Sequence, residues 1–318
     1  MLHRSYRTFV LTAAASTVAT ALVVAAPALA EIRHISTTGK NTNPCTLAQP
    51  CRTLQYGINH TAAGGELHVL DSGFYGNNAK VNRAMTINGN GHTVMVGTPL
   101  TVNAPGGTVF LRRLVLNGEG GSQRGIEIAV ATAVHIDHCV VQGFTATCIR
   151  LNGANVNVFV TDSIVRDNGS EGLNATGSGA AKLTVENSRF EGNGGIGIYA
   201  QTIESSITRS VSSGNGSNGI HALGGRMNVT STTSAGNFHG FVVAFDGQMV
   251  LESSVSRGNS SIGAYAFDGT ITISNSVFTH NGTGINKPAA GTVLTRQNNV
   301  ITGNTTNTVG ALTPLGGL

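Results

Sequence analysis

The 318-residue chain has no tryptophan, only 5% aromatic and 11% charged residues, and 43 glycines. That balance excludes a helical bundle and a charged disordered chain, and it leaves a core built from small and β-branched residues. Basic runs are missing as well. With Arg4 and Arg7 set aside as part of a leader, 17 basic residues face 15 acidic ones. A formal charge near +2 with no Lys/Arg cluster gives no phosphate-binding stripe, so nucleic acid is not an expected partner.

Residues 1–30 read as a cleaved leader: Arg4 and Arg7 open it, an apolar run follows from Phe9 to Ala26, and Ala28-Leu29-Ala30 offers small residues for cleavage. The apolar run is also of borderline length for a membrane anchor. Cleavage is the preferred reading, and it implies a secreted or periplasmic protein with no membrane span after signal removal. Cys45 and Cys51 sit in a short loop bounded by Pro44 and Pro50, and export favours a local disulfide there. Cys139 falls at an inward position with Cys148 nine residues on, and buried thiols and a second bridge both stay open. Neither pair has zinc-site spacing with histidines.

A repeat organises the rest. Asn168, Asn193, Asn215, Asn237, Asn259, Asn281 and Asn304 are separated by 25, 22, 22, 22, 22 and 23 residues. Five positions before the first six stands a small hydroxyl residue: Ser163, Ser188, Ser210, Thr232, Ser254 and Ser276, with Cys139 heading the row in a coil where Phe144 replaces Asn. Such a period has room for short strands joined by Gly/Asn/Ser turns and none for helices. It predicts an all-β, single-stranded right-handed parallel β-helix of about ten coils, in which like residues stack on like about 4.8 Å apart. The expected organisation is an N-terminal cap over residues 31–65, coils over 66–310 and a low-information tail over 311–318. The cap holds a strand from Ile32 to Ile35, the cysteine loop and a short amphipathic helix over Thr53 to Asn59 with Leu54 and Ile58 on one face.

The repeat, together with Cys51-Arg52-Thr53-Leu54, Gly64-Gly65 and Gly73-Phe74-Tyr75-Gly76, resembles the pectate-lyase-like superfamily of right-handed parallel β-helix proteins. That superfamily holds lyases, hydrolases, esterases, epimerases, tailspikes and passive adhesins, so the resemblance implies the fold and leaves the reaction open. It also implies that substrate lies along the outer face of the strand after the turn Asn. Strand alternation makes the outward row there Glu127, Arg150, Asn174, Tyr199, His221, Val242, Tyr265 and Asn286.

One reading of that row is catalytic, with Glu127, Arg150 and His221 as the reacting groups. Arg150 holds a carboxylate, His221 or Arg150 acts as base, and Asn174, Tyr199 and Tyr265 bind sugar. Asp167, Glu171 and Glu191 lie in the adjoining turns as further substrate contacts and as a candidate calcium set, the only cofactor considered. His135-Ile136-Asp137-His138 is similar to a Trp-Ile-Asp-His segment of pectate lyases, with His135 in place of the Trp, and no Arg-x-Pro-x-Arg segment is present. Phe238-His239-Gly240 is similar to the Gly-His-Gly of polygalacturonases, but hydrolysis would need two carboxyls about 5 to 9.5 Å apart and the outward row has only Glu127. If the protein is an enzyme, it is lyase-like. The alternative is a non-catalytic surface or adhesin-like solenoid that binds a polysaccharide or cell-surface glycan. A monomer is expected in either case.

Overall fold

The computed structural model describes residues 31–119 and 121–316, and the leader expected over residues 1–30 lies outside the described residues. Among the described residues, strands pair into three sheets of thirteen, eleven and eleven members, and each coil adds one strand to each sheet. Sheet I takes the long strands such as Asn157–Thr161 and Glu204–Thr208. Sheet II takes three-residue strands such as Ile164–Arg166 and Thr233–Ala235. Sheet III runs from Lys80–Val81 to Thr306–Val309 and includes Ile149–Leu151, Ile198–Gln201 and Ile262–Ala266. Every pairing along these sheets is parallel, for example Ser206 beside Asn228. The protein is thus an all-β right-handed parallel solenoid of about eleven coils. The early coils at Gly73–Phe74 and Lys80–Val81 add to those that the Asn period reveals.

Alternation explains each strand. Inward residues of sheet I stack as Leu111, Ile136, Val160, Val185, Ile207, Val229, Leu251 and Ile273, all fully buried. β-Branched and aliphatic side chains suit such a column because each packs on its own counterpart in the next coil. At the corner between sheets I and II a single non-glycine residue takes positive φ: His138, Asp162, Asn187, Arg209, Ser231, Ser253 and Asn275 all lie between 47° and 52°. That conformation is unfavourable for most side chains, and the next residue compensates for it. Ser163 Oγ donates to the carbonyl of Thr161 at 2.8 Å and accepts the backbone N–H of Cys139 at 3.0 Å. The same hydroxyl ladder continues through Ser188, Ser210, Thr232, Ser254 and Ser276.

A second ladder fills the corner between sheets II and III. Asn168 Nδ2 donates to Asn193 Oδ1 at 2.8 Å, and the relay runs through Asn215, Asn237, Asn259 and Asn281 to Asn304. The amides through Asn281 are nearly fully buried, so their hydrogen bonding is obligatory. The two ladders occupy the sequence positions that the period singles out.

Ile32–Ile35 pairs with Glu66–Val69 as the first strand of sheet I. The helix spans Leu54–His60, one residue later than expected, because Thr53 is its N-cap and accepts the N–H of Tyr56. Its buried Leu54 and Ile58 close the first coil. Cys45 and Cys51 form a disulfide with Cα atoms 4.6 Å apart. Cys139 and Cys148 are free and buried, and burial pushes the Cys139 thiol up to about 12. Thr313–Pro314 adds a last short strand beside Leu294 and Thr295. No helix among the described residues is long and apolar enough to cross a membrane.

Candidate functional site

The expected outward row exists as a register. Glu127 lies beside Arg150, and the series continues without a slip through Asn174, Tyr199, His221, Val242 and Tyr265 to Asn286. Its two ends differ in chemistry.

At the N-terminal end the row is charged and internally paired. Glu127 Oε1 accepts from Asn152 Nδ2 at 2.8 Å and lies 3.8 Å from Arg150 Nη1, while Oε2 lies 3.7 Å from Arg124 Nη1. Glu171 accepts from the Thr147 and Ser170 hydroxyls at 2.6 and 2.8 Å. Burial works to raise its pKa, but those two hydrogen bonds and the charge of Arg150 outweigh it and hold the carboxyl below its ordinary range. Arg150 therefore has the Glu127 carboxylate 3.8 Å away and adds its charge to the field at Glu171.

Further along, the row becomes aromatic and uncharged. Tyr199 meets His221 edge to face at 5.4 Å, and its hydroxyl donates to Gln201 at 3.1 Å. Burial, followed by the proximity of His239, lowers the His221 pKa to about 4, so its ring is neutral near pH 7. His221 Nδ1 lies 3.3 Å from Asn218 Nδ2, and Nε2 is buried with no partner. The same holds for Asn174 Oδ1 two coils earlier. His239, also held low by burial, leads on to Tyr265 at 5.5 Å and to Phe238 at 4.3 Å, and Tyr265 contacts Phe267 at 5.8 Å. Val242 points outward yet is only 5% exposed, flanked in the register by His221 and Tyr265.

Sequence reasoning missed the rims of this strip. Phe238 is exposed before the strand, and Phe245 and Phe267 are exposed after it. Phe245 and Asp246 both take positive φ, a rare conformation for a bulky residue, and the Phe245 N–H is held by the Asp268 carboxylate. A Phe two residues after an outward Tyr, as in Tyr265-Ala266-Phe267, was the available signal.

Other expected groupings do not form. Arg150 and His221 stand three strand spacings apart, roughly 14 Å. Asp167 pairs with Arg166 at 3.6 Å in an exposed turn, Glu191 binds Arg189 on sheet II, and Glu171 faces the start of sheet III. Among the described residues, the one group of three metal-ligating side chains with atoms within 4.8 Å is Asp137, His138 and Asp162, at the corner of sheets I and II. There His138 Nδ1 already bonds Asp137 at 2.8 Å, and Asn187 donates to Asp162.

This site lies on a fold whose class is now defined, a right-handed parallel β-solenoid. Residues 178–313 match the family described as the right handed beta helix region. Among solved structures, the chain is similar to the A-module of a mannuronan C-5 epimerase from Azotobacter vinelandii. That match has a TM-score of 0.59 and 13% identity, and it covers 82% of this chain and 94% of that one. A rhamnogalacturonan lyase gives a TM-score of 0.56 at 13% identity over 83% of this chain and 84% of that one. Pectate lyase Pel9A gives 0.54 at 16% identity over 89% and 79%. At these identities the likeness is one of fold. No curated protein sequence matches the chain.

Proposed function

We propose that the protein is an exported solenoid that engages a polysaccharide along the outer face of sheet III, binding it without turning it over. The observation that carries this reading is the unbroken register from Asn174 to Asn286, with rings from Tyr199, His221, His239 and Tyr265 on one face. Aromatic rings spaced along the axis suit a polymer of pyranose rings, which present C–H surfaces to π-systems. The solved structures named above include two lyases and an epimerase of polysaccharides, which supports the same class of ligand. Export is supported by the leader-like residues 1–30 and by the Cys45–Cys51 bridge.

Binding is favoured over chemistry by the dispersal of the candidate groups. His221 is remote from Arg150, and a ring held near pKa 4 is a weak proton acceptor at neutral pH. Arg150 lies 3.8 Å from Glu127, which offsets its charge. Incubating the mature protein with uronate and neutral polysaccharides, with and without calcium, tests this. Unsaturated products, reducing ends and bound protein are followed together. Retention on at least one polymer without product is the expected result. Product formation that disappears in Arg150→Ala or His221→Ala would establish a lyase-like enzyme instead.

A further inference from the structure

Building on the polysaccharide reading, we infer that the ligand of sheet III is an uncharged glycan chain, recognised through ring stacking and hydroxyl hydrogen bonds. Along Asn174, Tyr199, His221, Val242, Tyr265 and Asn286 no side chain carries a formal charge at neutral pH. The parallel row Gln201, Leu223 and Ala244 is uncharged too, as are Asn218 and His239 where the strands begin.

The borders point the same way. Glu171 stands at one end as an ionised carboxylate, and Asp246 and Asp268 lie in the turns beyond the strands. Lys287, directly after Asn286, is the one opposing charge on these strands and turns. Arg150, one coil before Asn174, has Glu127 at 3.8 Å and acts on the charge of Glu171, so its positive charge is offset by carboxylates of its own end of the row. A polyuronate laid along the strip would meet more negative charge than positive, whereas a neutral chain would pay no such penalty.

The unpartnered atoms also select for hydroxyls. Asn174 Oδ1 can only accept, so a carboxylate cannot satisfy it and a sugar hydroxyl can. His221 Nε2 donates or accepts according to the tautomer set by Asn218, and a hydroxyl meets either need.

The test is retardation of the intact mature protein in native gels containing a soluble β-glucan, glucomannan, polygalacturonate or alginate, repeated at low salt and at about 0.5 M NaCl. Retardation by a neutral polymer, unchanged by salt, is expected. Tyr265→Ala should weaken it up to about tenfold. Tyr265→Phe should keep it, which separates loss of the ring from loss of the fold, and Lys182→Ala on sheet I should leave it unchanged. Retardation by the acidic polymers that equals or exceeds that by the neutral ones would overturn the neutral-ligand inference and leave polysaccharide engagement standing. No retardation by any of the four, from protein with a normal melting transition, would overturn both.

Discussion

Up to Phe190 the inward row of sheet II is apolar, running Val94, Leu116, Val141, Val165 and Phe190, whereas in the next three coils it is Ser212, Ser234 and Ser256. The later half is no less ordered for being polar. Each serine donates to a carbonyl of sheet III, namely Gly219, Gly240 and Gly263 at 2.7, 2.9 and 2.8 Å. Each also accepts from the ladder amide three residues on, Asn215, Asn237 and Asn259, at 3.1, 3.1 and 3.0 Å. The outer faces divide at nearly the same place, with ion pairs around Glu127 and Arg150 in the early coils and rings from Tyr199 onward. On sheet II, dispersion lines the interior up to Phe190, and a hydrogen-bond network lines it in the next three coils. A buried polar row is tolerated only where every atom is paired.

The largest expected effect would test that division directly. Asn237 makes five side-chain hydrogen bonds, to Asn215, Ser212, Ser234 and Asn259, whereas Asn193 makes three. Asn237→Leu should lower unfolding stability by about 4 kcal/mol and Asn193→Leu by about 2 kcal/mol, read by urea titration. Equal losses would break the comparison.

Acid should act chiefly on the later half. The His221 pKa falls from 6.5 to about 4 on folding, so the unfolded chain binds its proton first as pH drops. Its contribution is therefore complete above pH 6.5 and disappears between 6.5 and about 4, a loss of about 3 kcal/mol that His221→Asn should flatten. A stability curve that is flat in that window for the unaltered protein would contradict the burial of the ring.

Exchanging the two linings gives a smaller change. Ser234→Val removes the hydroxyl that donates to the Gly240 carbonyl and accepts from the Asn237 amide, and Val141→Ser buries a hydroxyl among aliphatic neighbours, so each should lose about 2 kcal/mol. Smallest of all is Lys182→Ala, which removes an exposed 2.9 Å pair with Glu204 and should shift stability by less than about 0.5 kcal/mol.

Most of the architecture was legible because solenoid coils repeat their chemistry. The turn asparagines, the hydroxyls five residues earlier and the outward row could all be placed by counting. What counting could not supply was direction and distance across coils. Asp167 and Glu191 lie at sheet II, whereas Glu171, near both in sequence, turns to Thr147 before a strand of sheet III. The exposure of Phe238 and Phe245 depends on how a turn leaves the strand, and the neutrality of His221 depends on burial under its neighbours. The first coils read less regularly because they carry no turn Asn. Thr53 fell outside the helix because its hydroxyl caps it.

The asparagine relay also makes the molecule's length an editable quantity. Asn215 and Asn259 occupy equivalent places, each donating to the amide ahead and accepting from the one behind. Excising residues 216–237 would join coils whose spacing is still 22 residues, so Asn215 would find Asn259 where it now finds Asn237. Removing a single residue from within a strand would put its side chains out of step with the neighbouring coils. Whole coils are thus the unit in which this chain can lengthen or shorten, and its outer face can gain or lose contact positions without redesign of the core.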